Sequence, residues 1–316
     1  MSKLIISIIV PVFNTGILLS KCICSIVEQA EWNGLDLPPF EVVIVDDLST
    51  DPATIQLLKV LPATDSRIRV LQNSGPRGAA GARNFGVSQS HGDWIAFLDS
   101  DDTWTTDSIA RRWEVANSYP EIQWICADWA PSWPNGRVES TGQIVSRLNR
   151  LEVSSNVARI FPKPVELVLR HIMPWSGAVM IKKSAFEQAG GFNHDLRRAE
   201  DYDLWLRLAV RYDIGFMPAI CAYYLQREGS LTSRGVEPAY LWATIVLRRL
   251  IKDFQFFKYK KIILNQLIES TLSNCYEYRI NGEFRRALRE SLLLLRTGGA
   301  NYTAIRQGVA AILRRD

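Results

Sequence analysis

Cysteine and histidine are scarce in this chain: its 316 residues include 5 cysteines and 3 histidines. The cysteines are odd in number and scattered, and no pair of CxxC motifs is present, so we expect neither a disulfide scaffold nor a structural zinc site. Free thiols are typical of a reducing compartment, which predicts a cytoplasmic protein. The histidines, at His91, His171 and His194, fall outside every motif described below and are interpreted as surface or packing residues.

Long hydrophobic runs are also missing. The apolar run after Lys3 covers about seven residues, whereas a helix that spans a bilayer needs about 20 and a signal peptide needs a cleavage site after its core. This run therefore predicts a buried first strand. Hydrophobic residues make up 47% of the chain and charged residues 22%, proportions that exclude a disordered or collagen-like protein and indicate one large domain or two modest ones.

The pattern of apolar residues alternates between strand-like and helix-like over the first hundred residues. Continuous β-rich runs at 4–10, 40–45, 68–71 and 94–98 are separated by segments with helical spacing at 18–29, 54–61 and 79–90. Strands that alternate with helices predict a doubly wound, mostly parallel sheet. Beyond them we predict helices at 106–118, 167–170, 201–210 and from 240 to the end, strands at 122–127 and 177–181, and an irregular stretch over 131–164.

The net charge of +4 is unevenly distributed. Residues 241–316 contain 14 Lys and Arg against 6 Asp and Glu, so this part carries +8 and the preceding residues carry −4. One interpretation is peripheral contact of these basic helices with the inner face of a membrane, because residues 243–257 combine cationic side chains with three phenylalanines. Packing on the rest of the chain or on a second subunit is the other. Nucleic acid is disfavoured, since no nucleic-acid-binding motif accompanies the charge.

Each of the four early strands runs directly into polar or turn-forming residues. These segments are PVFN at 11–14, DDLSTD at 46–51, the stretch 75–84 and DSDD at 99–102. In a parallel sheet the carboxyl ends of the strands share one edge, where ligands bind. We therefore predict that the four segments form one binding site. The alternative, in which each segment only starts a turn, needs four coincidences.

Two of these segments carry chemistry that suits a phosphorylated ligand. Asp99 and Asp101 lie two residues apart on a turn, and hard carboxylate oxygens without a nearby His or Cys favour Mg²⁺ or Mn²⁺. A turn with a helix cap is the alternative interpretation of the same residues. Gly78 begins a predicted helix of small residues, where free backbone N–H groups favour an anion. The spacing there is not GxGxxG, which argues against a dinucleotide fingerprint.

These motifs occur together in a fixed order along the chain. In the first half they are PVFN at 11–14, VDDLSTD at 45–51, RGAAGARNFGV at 77–87 and FLDSDD at 97–102. In the second half they are WSG at 175–177, AGGF at 189–192, EDYDLWLR at 200–207 and YLQREGSLTS at 224–233. The combined pattern resembles the family 2 glycosyltransferases with the GT-A fold, over about three-quarters of the chain. As a set it is specific, although no single motif is.

The resemblance implies an α/β GT-A fold, with a Rossmann-like, mostly parallel central sheet flanked by helices and a C-terminal helical extension. It divides the chain into a nucleotide-sugar-binding half (1–105), an acceptor-binding and catalytic half of the same domain (106–238) and a basic helical extension (239–316). The implied reaction moves a sugar from a nucleoside diphosphate, with UDP as the default, to a hydroxyl of a glycan, lipid-linked or other acceptor, with inversion. Mn²⁺ or Mg²⁺ is the implied cofactor. The implied biological process is the synthesis of surface polysaccharides or glycoconjugates. The sequence is compatible with an oligomer.

The same resemblance assigns roles to individual residues. The residues implied to contact the nucleotide sugar are Pro11, Val12, Asn14, Asp46, Asp47, Gly78, Arg83, Asp99 and Asp101. Among them, Asp46 with Asp47 beside it corresponds to the carboxylate that accepts hydrogen bonds from the base. Arg83 falls near the diphosphate. In the DxD motif, Asp99 lies near the ribose and Asp101 binds the metal.

Asp201, with Glu200 before it, matches the ED motif that supplies the general base of the family. Inverting transfer to a hydroxyl needs one base to take the hydroxyl proton, while a metal ion stabilises the leaving group in place of a general acid. Both acidic residues also begin a predicted helix, so complementing the helix dipole is the alternative role. The family pattern favours Asp201 as the base.

The acceptor side is expected at Trp175, Ser176 and Gly177, because this segment resembles the acceptor-facing Trp-Ser-Gly of the family. An indole face is also a good platform for a sugar ring. Four other tryptophans near this half are interpreted as core residues: Trp104, Trp129, Trp133 and Trp205. Arg227 stands where many relatives carry a histidine. A guanidinium cannot bind a cation but binds phosphate directly, which weakens the expectation of metal dependence.

Two functions of other classes remain alternatives. A non-catalytic module that binds a nucleotide sugar or glycan would share the fold, and loss of a DxD or ED carboxylate would favour it, but both motifs are present. A Rossmann-type oxidoreductase would carry GxGxxG after the first strand, where this chain has PVFN.

Overall fold

The computed structural model describes residues 6–148, 157–170, 174–227, 237–238 and 240–296, with side chains as far as Leu294. The chain divides into two compact units. The first comprises Met1–Pro164 and His171–Arg227, and the second comprises Val165–Arg170 and Glu228–Asp316. All of the predicted site residues belong to the first unit.

The first hundred residues alternate strands and helices, as predicted. The strands are β1 (Ile6–Val12), β2 (Phe40–Asp46), β3 (Ile68–Gln72) and β4 (Trp94–Phe97), separated by the helices α1 (Leu18–Val27), α2 (Pro52–Thr64) and α3 (Ala79–Ser88). β1 pairs in parallel with both β2 and β4, and β2 pairs in parallel with β3. Every residue of β1 is buried, which explains its unbroken apolar run.

The chain then continues with shorter and more varied elements. In order they are β5 (Thr103–Trp104), α4 (Ser108–Ser118), β6 (Trp124–Ser132), α5 (Gln143–Leu148), β7 (Arg159–Phe161), α6 (Val165–Arg170, in the second unit), a 3-10 turn (Ser176–Ala178), β8 (Val179–Lys182), α7 (Lys183–Gln188), α8 (Glu200–Ala209) and β9 (Ile214–Leu225). The strands form one sheet in the order β3-β2-β1-β4-β8-β6-β9-β5, with β7 on β9. β8 is antiparallel to β4 and β6, so the sheet is parallel over its first four strands and mixed beyond them.

The prediction of an irregular stretch over 131–164 was wrong in part. β6 extends to Ser132, and α5 and β7 lie inside the stretch, while residues 149–156 lie outside the described part of the chain. Strand β9, with 12 residues, and helix α7 were not predicted at all. The sequence of β9, IGFMPAICAYYL, hides its strand character because Pro218 and small residues interrupt the alternation that indicates a strand.

The interpretation of Trp104 and Trp205 as core residues is confirmed, because both are buried. Trp205 stacks on Trp124 at 6.0 Å between ring centroids. The Nδ1 atom of His91 lies 3.1 Å from Glu41 Oε2, and that of His194 lies 3.4 Å from Asp195 Oδ1. Both histidines are exposed, which agrees with their interpretation as surface or packing residues. His171 lies outside the described residues.

The second unit is helical over its described residues. Besides α6 it contains α9 (Leu241–Leu250), a 3-10 segment (Phe254–Tyr259), α10 (Lys260–Ile280) and α11 (Phe284–Arg296). The prediction that the chain is helical from 240 onward is confirmed for these residues, and residues 297–316 lie outside the description. Arg248 pairs with Glu290 at 2.6 Å, whereas Phe254 and Phe257 are exposed. None of the described helices combines the length and apolar character needed to cross a membrane.

Candidate functional site

The loops after β1, β2 and β4 are tied together by side-chain hydrogen bonds. Asn14 adopts a left-handed backbone conformation with φ of 49°, which asparagine tolerates better than most residues. Its Oδ1 accepts hydrogen bonds from the backbone N–H groups of Thr50 (2.7 Å) and Asp51 (2.9 Å). Thr15 Oγ1 lies 2.6 Å from Ser100 Oγ in the loop after β4. The carboxyl ends of these three strands are thus joined, as the position of the motifs predicted.

Asp46 and Asp47, at the end of β2, have different surroundings. Asp46 is partly exposed, and its Oδ1 accepts a hydrogen bond from the backbone of Ser49 at 3.0 Å. Asp47 is buried, and both of its carboxylate oxygens are used: Oδ1 by Asn73 Nδ2 (2.7 Å) and Oδ2 by the Gly78 N–H (2.8 Å). Asp47 therefore fixes the start of α3 and engages the Gly78 amide, which leaves Asp46 as the more accessible carboxylate.

Besides Asp47 and Arg83, four of the predicted site residues are buried: Pro11, Val12, Ser176 and Gly177. A Cβ atom on Gly177 would come within 2.5 Å of the Trp175 ring, so a glycine is needed for the indole to lie where it does. These residues thus shape the backbone beneath the surface. Of the 175–177 segment, the Trp175 side chain is the partly exposed member.

Arg83 of α3 joins two motifs that are about a hundred residues apart in the chain. Its Nη2 donates to Asp99 Oδ1 at 2.5 Å and its Nη1 donates to Glu200 Oε1 at 2.8 Å. The side chain is 4% exposed, with the guanidinium 5.3 Å from the centre of the Phe192 ring. Burial alone lowers the pKa of Arg83, but the charges of the two carboxylates outweigh burial and raise it, so the group stays cationic. One buried cation therefore links the DxD and ED motifs.

Asp201 is the second residue of α8, which begins at Glu200 directly after Ala199 with φ of 60°. Its Oδ1 accepts a hydrogen bond from the backbone N–H of Tyr202 at 2.7 Å. Burial, and secondly the neighbouring charge of Glu200, raise the pKa of Asp201 to about 7. A carboxylate with such a pKa is matched to accepting a proton near neutral pH.

Asp101 and Asp102, in the loop after β4, are held from the end of β9. Arg227 donates from both Nε (3.0 Å) and Nη2 (2.7 Å) to the same oxygen, Asp101 Oδ2. Asp102 Oδ1 accepts from the Leu225 N–H at 2.7 Å, whereas its buried Oδ2 has no hydrogen-bond partner among the described residues. Burial, followed by the charges of neighbouring acidic residues, raises the pKa of both carboxyl groups. The protein partners of this loop therefore do not fully offset the cost of ionising both carboxyl groups.

This donor set fits a divalent cation shared with a substrate. No group of three or more His, Cys, Asp or Glu side chains within the described ranges is arranged to hold a metal ion by itself. A Mg²⁺-like ion, however, is commonly bound through one or two carboxylates and completes its shell with water and substrate phosphates. Asp101 and Asp99 supply hard oxygen donors of that kind, and a cation bound there would offset the cost of ionising Asp101.

Three aromatic rings form a cluster at the predicted acceptor side. The ring centroid of Trp175 lies 5.6 Å from that of Trp129 and 5.5 Å from that of Tyr224. The centroids of Trp129 and Tyr224 are 6.2 Å apart. Tyr224 precedes Arg227 by three residues, which connects the cluster to the DxD loop. The sequence did not identify Tyr224 as a site residue and placed Trp129 in the core, because the pairing of β6 with the unpredicted β9 brings them together.

Comparison with known proteins assigns the family. Residues 7–166 match the model of "Glycosyl transferase family 2". A relative from Escherichia coli, "UDP-Glc:alpha-D-GlcNAc-diphosphoundecaprenol beta-1,3-glucosyltransferase WfgD", is 38% identical over 239 residues, which cover 74% of this chain and 81% of the relative. The "Putative teichuronic acid biosynthesis glycosyltransferase TuaG" of Bacillus subtilis is 35% identical over 112 residues, covering 35% of this chain and 42% of TuaG.

Solved structures show the same fold at low sequence identity. The crystal structure of S. aureus TarS 1–349 in complex with UDP-GlcNAc matches with a TM-score of 0.63 and 18% identity, covering 98% of this chain and 90% of that one. The complex of the same TarS fragment with UDP matches with a TM-score of 0.61 and 17% identity, covering 98% and 81%. The predicted GT-A fold is confirmed, and the chain belongs to glycosyl transferase family 2.

Proposed function

We propose that the protein transfers a sugar from a nucleoside diphosphate sugar to an acceptor hydroxyl, with inversion at the anomeric carbon. Asp46 and Asn14 lie on the nucleotide side, Asp99 and Asp101 on the ribose and diphosphate side, and Asp201 takes the proton from the acceptor hydroxyl. A divalent cation, when bound at Asp101 and Asp99, stabilises the negative charge that develops on the leaving diphosphate. Glu200 is a positioning residue, because it binds Arg83 and raises the pKa of Asp201.

The buried Arg83 bridge is the observation that carries this proposal. By holding both Asp99 and Glu200, Arg83 joins the carboxylate proposed near the ribose of the donor to the first residue of α8, which is followed by Asp201. Transfer with inversion requires this arrangement, because the base must act next to the sugar whose bond to the diphosphate breaks. A non-catalytic module would have no need for a base with a pKa near 7 at that place.

UDP is the proposed nucleotide. Support comes from the accessible Asp46 carboxylate, from the relative WfgD, whose name contains UDP-Glc, and from the TarS complexes with UDP and UDP-GlcNAc. The setting we propose is surface polysaccharide or glycoconjugate synthesis, in line with the names of WfgD and TuaG.

A panel of nucleotide sugars tests the reaction directly. Purified protein is incubated with Mn²⁺ and each donor, and mass spectrometry follows slow hydrolysis to the nucleoside diphosphate. We expect turnover of one or a few UDP-sugars, and Asp101→Asn reduces it at least ~10²-fold because a metal ligand is lost. The matched control is Asp65→Asn, which removes a carboxylate paired with Arg67 outside the site. No turnover of any nucleotide sugar by the wild type would favour the binding module, and equal turnover by Asp101→Asn would remove the metal assignment.

The Trp175 cluster is the proposed acceptor platform. Sugar rings stack on indole faces, and Trp175 has aromatic neighbours that hold its ring in place. We expect Trp175→Ala to raise the acceptor KM about five- to tenfold with a smaller change in donor KM, since one aromatic contact contributes on the order of 1 kcal/mol. An equal rise in both KM values would contradict an acceptor role.

The outer face of α11 is the proposed contact with an anionic membrane surface. Phe284, Leu288 and Leu292 are about half exposed at four-residue spacing, which places them in one stripe along the helix. Arg285 and Arg289 are exposed next to them. An anionic leaflet complements this combination of apolar and cationic groups, whereas a second copy meeting the same face would bring arginines together.

Vesicle sedimentation of the full chain tests this contact. We expect binding to vesicles of phosphatidylcholine with phosphatidylglycerol, little binding to phosphatidylcholine alone, and loss of binding in Arg285→Glu with Arg289→Glu. Equal binding of variant and wild type would contradict the proposal. So would a change in oligomeric mass caused by the variant without any loss of vesicle binding.

A further inference from the structure

Arg227 and Asp101 form an ion pair at the place where a metal ligand is expected. Both Nε and Nη2 of Arg227 donate to Asp101 Oδ2, at 3.0 and 2.7 Å, so one oxygen accepts two charged hydrogen bonds. A metal ion that used this oxygen would have to displace both donors, because two cations close to one oxygen repel each other. Arg227 is thus an internal competitor for the carboxylate.

The two arginines of the site differ in how firmly they are held. Arg83 is 4% exposed, contacts two carboxylates and lies against Phe192. Arg227 is 33% exposed, and Asp101 is the carboxylate to which it is paired. Moving Arg83 would strand a buried charge, whereas Arg227 can return to water at a much smaller cost in free energy.

We propose that Arg227 and the divalent cation bind Asp101 in alternation, and that cation binding releases the guanidinium to bind the diphosphate of the donor. The inference rests on the proposed function, which supplies the diphosphate. A guanidinium binds phosphate oxygens through paired hydrogen bonds and cannot bind a cation, so the diphosphate of the nucleotide offers Arg227 a new partner once Asp101 is occupied. Arg227 is a positioning residue in this scheme, and no covalent bond is formed or broken.

The scheme predicts coupling between the two ligands. Without nucleotide, cation binding costs the free energy of the Arg227–Asp101 ion pair, so the cation binds weakly. With nucleotide, the released guanidinium gains phosphate contacts, and each ligand raises the affinity for the other by the same factor. Under this scheme, an arginine at position 227 is compatible with metal dependence. From the sequence alone, by contrast, this arginine weakened the expectation of metal dependence.

Manganese binding in the absence of turnover tests the inference. The amplitude of the free Mn²⁺ signal in electron paramagnetic resonance gives the Mn²⁺ Kd of the full chain, with and without UDP. We expect Arg227→Met to bind Mn²⁺ alone about tenfold more tightly than the wild type, which corresponds to the loss of roughly one charged hydrogen bond. UDP should then improve Mn²⁺ affinity less in the variant than in the wild type. Arg227→Lys, which keeps the charge, should fall between the two.

Three controls make the result specific. Arg67→Met removes a cation paired with Asp65 away from the site and should leave the Mn²⁺ Kd unchanged. Adding Asp101→Asn to Arg227→Met should abolish the gain in affinity. Unfolding midpoints report whether each variant is folded, and Arg227→Lys keeps the test available if Arg227→Met is not.

The negative outcomes separate the inference from the proposed function. An unchanged or weaker Mn²⁺ affinity in Arg227→Met, with normal UDP and Mn²⁺ binding by the wild type, would overturn the competition and leave the transferase proposal standing. Failure of the wild type to bind Mn²⁺ even with UDP would overturn both the competition and the metal-assisted part of the proposed reaction.

Discussion

The carboxylates at the two ends of the parallel strands β1, β2 and β4 differ in how completely they are hydrogen-bonded and in the direction of their pKa shifts. At the amino end, Glu41 accepts hydrogen bonds from Ser7 Oγ (2.7 Å), the His91 N–H (2.6 Å) and Arg69 Nη1 (2.8 Å). Burial by itself raises the pKa of Glu41, but these hydrogen bonds outweigh burial and lower it below its usual value. Glu41 is therefore a satisfied carboxylate that stabilises the fold as an anion.

At the carboxyl end the carboxylates are crowded and less completely paired. The pKa values of Asp101, Asp102 and Asp201 are all raised, first by burial and then by the charges of other acidic residues. Carboxylate side chains therefore serve two purposes at the two ends of one sheet. A carboxylate supplied with donors holds strands together, and a carboxylate short of donors is available to a cation or a proton.

Breaking the bridge at the carboxyl end should have the largest effect. Arg83→Met leaves Asp99 and Glu200 without their shared cation, so we expect sugar transfer to fall at least ~10²-fold and the free energy of unfolding to fall by about 3 kcal/mol. Steady-state transfer assays and urea unfolding measure the two effects. The matched control at the amino end is Arg69→Met, which should change transfer by less than about twofold. Transfer by Arg83→Met at the wild-type rate would contradict the role of the bridge.

The next largest effect is expected in the pH dependence of transfer, which depends on the raised pKa of Asp201 at the carboxyl end. Asp201 has a pKa of about 7 and accepts a proton only when ionised, so the rate should rise about tenfold per pH unit below 7 and level off above it. An aspartate with its usual pKa near 4 would already give a flat profile above about pH 5.5. Rates measured with saturating donor and acceptor between about pH 5.5 and 8 decide between these outcomes.

A smaller effect, confined to stability, is expected at the amino end. Glu41→Gln should lower the free energy of unfolding by about 1–3 kcal/mol at pH 7, because charged hydrogen bonds are lost, and should leave transfer unchanged. The lowered pKa means that the ionised form contributes stability above the unfolded pKa and loses it as the pH falls through the folded pKa. The difference from wild type should therefore persist from pH 7 to about 5 and shrink as the pH falls below the usual Glu pKa of about 4.3. A difference that stays constant with pH would show that Glu41 is not stabilised as an anion.

Sequence patterns predicted the parallel half of the sheet well. Each of β1 to β4 is a short apolar run bounded by turn residues, so periodicity and turn chemistry agree. The second half was less predictable, because its long strand β9 pairs with β6 across a register shift between Ala127 and Trp129. Pairing over nearly a hundred residues leaves no local signal in the sequence, and the contact of Trp129 with Tyr224 follows from it.

The motifs predicted that the loops at the carboxyl ends of the strands meet, but not the contacts between their side chains. The carboxyl-end rule brought Asn14 and Asp99 to one edge, as the structure has them. The bonds made by Arg83 and Arg227 depend on side-chain packing between elements distant in the chain, which spacing alone does not encode. For this reason the sequence assigned both arginines to the diphosphate, whereas each contacts a carboxylate in this structure.

The most direct measurement compares nucleotide binding with sugar transfer in Asp201→Asn. Calorimetry with UDP and Mn²⁺ should give a Kd within about threefold of wild type, since Asp201 acts on the acceptor proton and not on the nucleotide. Transfer should fall at least ~10²-fold in the same preparation, the range expected for loss of a general base. Unchanged transfer would show that the proton leaves by another route and that the carboxyl end of the sheet does not hold its base at Asp201.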